Sequence, residues 1–409
     1  SWGESLFFPN ISMAQGPLDG SKANVPGTEI KEIMLPEDQI SLSWQLNSKT
    51  TLLANYQYGW HPTIIDAPGS YLARSDIIGP GGFCLGDWNP AANGGAGICT
   101  MAGMGVVNGV NGSVNVSTNQ NGGVGSDITP KKSGSAGIGL RYRLSEDTEI
   151  GGYYLRYHER VPLPLITYLS GNISQRYPDS WQRFYQPNVH LVGASMSTSL
   201  GEYVLGLELS HRKGAPVLAG SDCSASNTNP TRACARVNGP NVFNIYEPTT
   251  ANLTQFNINT FANFGRTFLA PRTLLLAEAN WVHVSGFNPV AFKTKGTGGQ
   301  QIIGDQLKLY SKNNIGIQAR FQLDYPGFAE GWDLSVPISY GQQLTGQNML
   351  SNLGSKGDKI LGISTEFTRG NLQLSASYVN WLGKPSIDDF GSRVLTDRDF
   401  VSLGVKYTF

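Results

Sequence analysis

The chain has 409 residues, with 30 basic and 30 acidic side chains, a formal net charge of zero and only 15% charged residues. That balance excludes the basic surplus of a nucleic-acid binder, and aromatics at 10%, spread along the chain, exclude a disordered polymer. No apolar run reaches the roughly 18–20 residues of a membrane helix, but a mean hydropathy of -0.21 still fits a membrane β-barrel, whose strands alternate apolar and polar residues.

Taken in chain order, Trp2–Phe8 reads as a first strand, and Glu29–Asn47 as one long strand or as two divided at Pro36. Between them, Pro9–Pro36 is not ordinary strand sequence. A short turn near Asn47–Lys49 leads to a strand and then to a long segment, about 61–134, whose stretch 93–128 is low in complexity and rich in Gly, Asn, Ser and Val. Ala136, Ile138, Leu140 and Tyr142 then alternate with Gly137, Gly139, Arg141 and Arg143. Tyr203, Leu205, Leu207 and Leu209 oppose Glu202, Gly206, Glu208 and Ser210. In 273–284, Leu275, Ala277, Ala279 and Trp281 take one face and Glu278 the other. The same period of two runs through Ile315–Tyr325, Trp332–Tyr340 and Leu372–Tyr378, and closes with Val401, Leu403, Val405, Tyr407 and Phe409. Such runs, about 9–13 residues long, suit tilted strands that cross a bilayer.

Connections alternate strictly between short turns, near Asn47–Lys49, Ser145–Asp147, Gly201, Arg266–Arg272, Pro326–Gly331 and Gly370, and long segments, about 61–134, 160–187, 213–251, 287–311, 344–358 and 383–399. Barrels of the outer membrane have short periplasmic turns and long extracellular loops. The expected fold is therefore all-β: one transmembrane antiparallel up-and-down barrel over residues 1–409, with about 14 strands in this chain. The chain opens in what reads as a strand, so an N-terminal piece is expected to be absent, and the full barrel to have about 16–18 strands.

Charge on the inward face is the candidate solute path: Arg141, Arg143, Arg156, Glu208, Glu278, Arg320, Asp324, Glu366 and Lys406. A charge facing lipid at mid-bilayer is costly, so these belong in the lumen. There they either select a solute or form a salt-bridge network that stiffens the wall. Arg141 and Arg143, two apart on one face, make the sharpest pair, suited to a carboxylate or phosphate head. Glu149 and Arg156 on the next strand are less clear in their facing. Trp44, Trp60, Trp281, Trp332, Tyr325, Tyr378 and Tyr407 fall on the lipid-facing parity and read as interfacial girdles or as a sugar-stacking ladder. Cys84 with Cys99, and Cys223 with Cys234, each share one long segment, which fits two loop-closing disulfides in an oxidising compartment better than a four-cysteine metal site. The five histidines form no HExxH, and no GxSxG is present, so no enzyme, metal or cofactor is expected.

One stretch carries a more specific resemblance. Trp2-Gly3-Glu4-Ser5, then Gly16-Pro17-Leu18-Asp19, Lys22, Val25-Pro26-Gly27, Lys31-Glu32 and Leu35-Pro36, and finally Gly69-Ser70-Tyr71, resemble the proteobacterial outer-membrane family catalogued as domain of unknown function 1302. The terminal strand, with aromatics at its last and third-last positions, also resembles the insertion signal of bacterial outer-membrane proteins. The family resemblance runs the whole chain and implies a setting beside a periplasmic lipid-carrier-like protein and an RND-type exporter. By implication the barrel sits among outer-membrane lipids and moves lipophilic or amphiphilic solutes across the bacterial outer membrane. A passive porin for small polar solutes, or a plugged structural or surface-binding barrel, remains the alternative.

Overall fold

The computed structural model describes residues 2–23, 28–73, 79, 106–109, 112–115, 123–124, 126–167, 180–220, 246–292, 302–348, 351, 353–383 and 395–408. Alternating sequence becomes one large curled antiparallel sheet of 14 strands, beside four small sheets of two or three strands, with almost no helix among the described residues. Thirteen of them follow one another along the wall: β1 (Gln39–Gln45), β2 (Thr50–Gln57), β3 (Ser135–Arg143), β4 (Thr148–Tyr157), β5 (Val189–Leu200), β6 (Tyr203–Gly220), β7 (Tyr246–Gly265), β8 (Arg272–Ser285), β9 (Asn313–Ala329), β10 (Trp332–Thr345), β11 (Lys359–Arg369), β12 (Leu372–Leu382) and β13 (Phe400–Tyr407). The remaining strand, Gln306–Lys308, pairs with the far end of β6. Among the described residues no helix is long and apolar enough to cross a membrane.

Side-chain parity organises the sheet. On β6, Glu208, Ser210 and Arg212 are buried inside the curl while Leu209 is 48% exposed outside. Ile40, Leu42 and Trp44 on β1, Ile138 and Leu140 on β3, and Val401, Leu403 and Val405 on β13 are likewise exposed outside. An apolar outer face continued across so many strands is far larger than the patch a soluble monomer tolerates. The periodicity expected from sequence is realised strand by strand.

Short turns and long segments alternate as expected. Gly201 and Gly370 occupy the short turns with φ of 65° and 53°, the left-handed region that a side chain disfavours. β9 runs on to Ala329, through an irregularity between Tyr325 and Ala329, so the turn expected over Pro326–Gly331 shrinks to Glu330 and Gly331. Two other expectations are corrected. Trp2–Phe8 is not a strand, and Glu29–Asn47 is not one either: Ile30–Ile33 is a helical turn and β1 begins only at Gln39. Pro36 and the loss of alternation before Gln39 account for the second.

The sheet does not close. β1 and β13 are its edges, and because the steps between them are all antiparallel, the two edges point the same way. At the long-segment end a loop crosses the seam. Arg398 Nη1 donates to the carbonyls of Tyr71 (2.8 Å), Ala73 (2.8 Å) and Ser70 (3.3 Å). Tyr71 in turn donates to the carbonyl of Asp399 at 2.7 Å and stands edge-on to Phe400.

Candidate functional site: a plugged lumen

The N-terminal residues enter the curl of the sheet rather than its wall. Pro9 and Gly16-Pro17 interrupt any ladder pairing, so the backbone polar groups of 2–19 need other partners. The wall provides them as side chains. Glu208 on β6 accepts the N–H of Glu4 (2.6 Å), Ser5 (3.0 Å) and Ile11 (2.6 Å), and the hydroxyl of Ser5. Glu278 on β8 accepts the N–H of Leu6, Phe7 and Phe8. Asparagine and glutamine side chains of β7 serve the carbonyls: Asn259 Nδ2 donates to Glu4 O, Asn257 Nδ2 to Phe8 O and Gln255 Nε2 to Pro9 O. Both carboxylates are 3% exposed or less. Charge-assisted bonds in such a dry setting are among the stronger ones available.

Packing fits the same segment. A Cβ at Gly193 would press on the Ile11 side chain, and one at Gly137 on the Trp2 ring, so glycine on the inner wall makes room for the plug. Trp2 also stacks on Tyr153 at 5.8 Å between centroids. Where the segment leaves the lumen, Arg160 Nη2 donates to Gln57 (2.7 Å), its Nη1 to Ala14 O (3.5 Å), and its Nε faces Glu37 at 3.3 Å. Gln57 itself donates to Gln15 O at 2.6 Å.

The plug packs against two apolar clusters of the interior. One, toward the long-segment end, gathers Leu155 and Tyr157 of β4, Val189 and Leu191 of β5, Leu253 of β7, Val282 and Val284 of β8, and Tyr310, with plug residues Ile11 and Ala14 beneath. The other packs Leu6, Phe7 and Phe8 against Ile360 of β11, Val379 and Trp381 of β12, Leu353 and Leu395.

The residues anticipated from sequence scatter over this scene. Glu278 and Glu208 meet at the plug, in the clamp just described. Arg141 is inward and half-buried, 3.7 Å from Glu149, with plug residue Glu4 within electrostatic reach. Arg143 lies on the same face, opposite Glu149 in the register, and is exposed near the short turn. Arg320 reaches Gln322, which donates to Asp324, and Asp324 also accepts from Ser335 and lies 3.9 Å from Arg272. Glu366 accepts from Gln373. Lys406 is inward on the edge strand β13, opposite Gln373, and exposed.

Arg156 is a correction. It stands on the outer face with Tyr154, at the long-segment end of β4, and donates to Asn188 Oδ1 at 2.6 Å. A charge is tolerated outside there because a long side chain at a strand end reaches the polar boundary. Trp60 is likewise not part of an outer girdle: it is 7% exposed and edge-on to Tyr185. Cys84, Cys99, Cys223 and Cys234, and the low-complexity stretch around them, lie outside the described residues. Among the described residues no group of ligating side chains could hold a metal.

Sequence reasoning missed Arg212, Gln255, Asn257 and Asn259. The period-two reading of β6 stops at Ser210; carried one step further it puts Arg212 on the inner face. On β7, Gln255, Asn257 and Asn259 alternate with Phe256, Ile258 and Thr260, a signal that was available.

A family model described as "Protein of unknown function (DUF1302)" matches residues 1–409. No curated protein matches the chain. Among solved structures, a FadL homologue of Pseudomonas aeruginosa is similar at 13% identity over 100% of this chain and 84% of that one, with a TM-score of 0.32. The outer membrane channel DcaP of Acinetobacter baumannii gives 11% identity, 91% and 84% coverage and a TM-score of 0.34. The toluene transporter TodX of Pseudomonas putida gives 10%, 85% and 78%, with 0.29. Likeness at this level speaks to neither substrate nor mechanism.

Proposed function

We propose that this chain, which belongs to the family described as protein of unknown function DUF1302, forms the wall and the plug of an outer-membrane β-barrel that transports lipophilic or amphiphilic solutes. The outer face supports the membrane setting: apolar residues point outward along successive strands, and Trp44 and Tyr407 sit at strand ends on that face. Strands can cross a bilayer where open loops cannot, because the ladder satisfies their backbone groups.

The observation that carries the solute class is the apolar interior above the plug, with Leu155, Leu191, Leu253, Val282 and Val284 all turned inward. A pore for small polar solutes lines its path with polar and charged groups and keeps it open. Here the path is shut by residues 2–19 and its upper part is greasy. The protein works without catalysis in this reading, with the membrane's own lipids around it and, by family kinship, a periplasmic lipid-carrier-like protein and an RND-type exporter as partners.

Reconstitution tests it. The intact chain in planar bilayers is expected to give no steady conductance, and liposomes carrying it are expected to pass a fluorescent dodecyl amphiphile faster than empty liposomes. Steady conductance with selectivity for small ions, and no effect on the amphiphile, would establish the polar porin instead.

A further inference from the structure

One buried cation in the lumen has no carboxylate within ion-pair distance among the described residues. Arg212 on β6 is 1% exposed. Its Nη2 donates to the carbonyl of Asn10 and to Gln255 Oε1, both at 3.0 Å, and more weakly to Asn10 Oδ1. All of these acceptors are neutral. Its Nε finds no acceptor, and among the described residues no carboxylate forms an ion pair with it. A buried guanidinium held only by neutral groups is costly, and removal from water is offset only by a charge at close range.

The neighbouring groups have the same deficit. Tyr157, 1% exposed on β4, has a hydroxyl with no partner. Arg212 lies near enough to Tyr157 and Tyr310 to act on both electrostatically. Glu159, in the loop beyond β4, is the carboxyl within range, but its Oε1 is engaged by the N–H groups of Arg160 and Val161. Burial pushes the Glu159 carboxyl above its usual range, while Arg160 is matched by Glu37. Leu191, Leu253, Val217 and Tyr310 surround these donors with apolar surface.

We infer that Arg212 and Tyr157 form a binding site for the anionic head, carboxylate or phosphate, of an amphiphile whose chain lies among the apolar residues of the upper lumen. A guanidinium Nε–H and a phenol O–H are the donors such a head takes, and orphaned donors in a buried site call for a partner. The inference rests on the transport reading above and narrows it. It also gives the site a link to the plug, because the guanidinium that meets the head also holds Asn10.

Binding to the full chain in nanodiscs, with empty nanodiscs subtracted, tests it by calorimetry. The probes are dodecanoate, dodecyl phosphate, dodecanol, dodecyltrimethylammonium, acetate and inorganic phosphate. Saturable binding of the two dodecyl anions is expected, with the alcohol, the cation and the chainless anions at least tenfold weaker, roughly the worth of one charge-assisted bond. Arg212→Gln should weaken the dodecyl anions about tenfold or more. Because Arg212 also holds the plug, Tyr157→Phe is the cleaner variant. It deletes a hydroxyl that bonds nothing among the described residues, so folding should be unchanged by heat-modifiable gel mobility, while anion affinity drops roughly threefold to tenfold. Unchanged affinity in Tyr157→Phe, equal binding of inorganic phosphate and dodecyl phosphate, or equal binding of all dodecyl probes would overturn the site. If no dodecyl probe of any charge binds or crosses, the transport reading itself fails.

Discussion

Arg398 donates to the carbonyl of Tyr71 at 2.8 Å across a seam where the edge strands β1 and β13 share no ladder. With the carbonyls of Ser70 and Ala73 it makes three such contacts from one guanidinium nitrogen. The loop after β2 is thereby fastened to the start of β13, and the curl of the sheet is held from its ends as well as through its pairings.

Arg398→Gln is therefore expected to loosen the seam by about 1–2 kcal/mol, the net worth of charge-assisted bonds at a half-exposed place. Hydrogen exchange should speed at 70–73 and 398–401 and stay unchanged in β6–β8. Uniform protection after the substitution would show that the seam does not depend on this clasp.

Glu278 and Glu208 can be tested by opening the pore. Glu278→Ala leaves the N–H groups of Leu6, Phe7 and Phe8 without an acceptor, at a cost of about 2–3 kcal/mol. The plug should undock, and single-channel recordings should show openings that the intact protein lacks. Glu278→Gln keeps one acceptor oxygen and should lie between the two. A Glu278→Ala barrel that stays closed would mean that Glu208 and the packing suffice.

Gly3 offers a test without removing a charge. Its φ is 89°, and a Cβ there would run into the Glu208 carboxylate. Gly3→Ala should shift the plug from both causes, by roughly 1–3 kcal/mol, and make residues 2–15 protease-sensitive in the folded barrel. Full protection in Gly3→Ala would place the plug's entry elsewhere.

His158 gives the pH dependence. Burial of its ring, with the nearby Arg156 and Arg160 cations, holds its pKa below the ordinary histidine value, and its Nδ1 accepts the N–H of Asn188 at 3.1 Å. A depressed pKa stabilises the folded state fully above the unfolded value, near 6.5, and that stability is lost as pH falls through the folded value. Melting temperature should hold above about pH 6.5 and decline below it, with a slope no steeper than about 1.4 kcal/mol per pH unit for this one proton. The decline should shrink in His158→Gln. An equal decline in both proteins would assign it to other groups.

Most of the wall was legible because period two, turn glycines and connection lengths are local properties. Val401 to Tyr407 announces its outward face without reference to any other strand. The plug was not legible for the converse reason. Leu6, Phe7 and Phe8 are apolar at successive positions and read as strand, but they are buried by wall residues more than 200 positions away, and no local pattern encodes that. Arg156 shows a second limit. Parity places it outside beside Tyr154, but charge argued for the lumen, and the argument from lipid cost lapses at a strand end. Arg212 shows a third: its position was readable, whereas the lack of a carboxylate within ion-pair distance among the described residues depends on what β7, the plug and the loop after β4 bring to it.

The plug and the wall are one chain, joined by the short passage that ends at β1, where Leu18 bridges Met34 and Leu35 N–H bonds Pro17 O. A tethered segment meets its own site at an effective concentration of the order of millimolar, whatever the protein's abundance. Reclosure is then a first-order event. An opening of the kind Glu278→Ala should produce would last for a time set by the chain itself, and a soluble peptide copy of residues 2–15 would have to approach millimolar levels to compete for the lumen. Dilution and crowding leave that clock unchanged, so a single barrel in a membrane resets as fast as one among thousands.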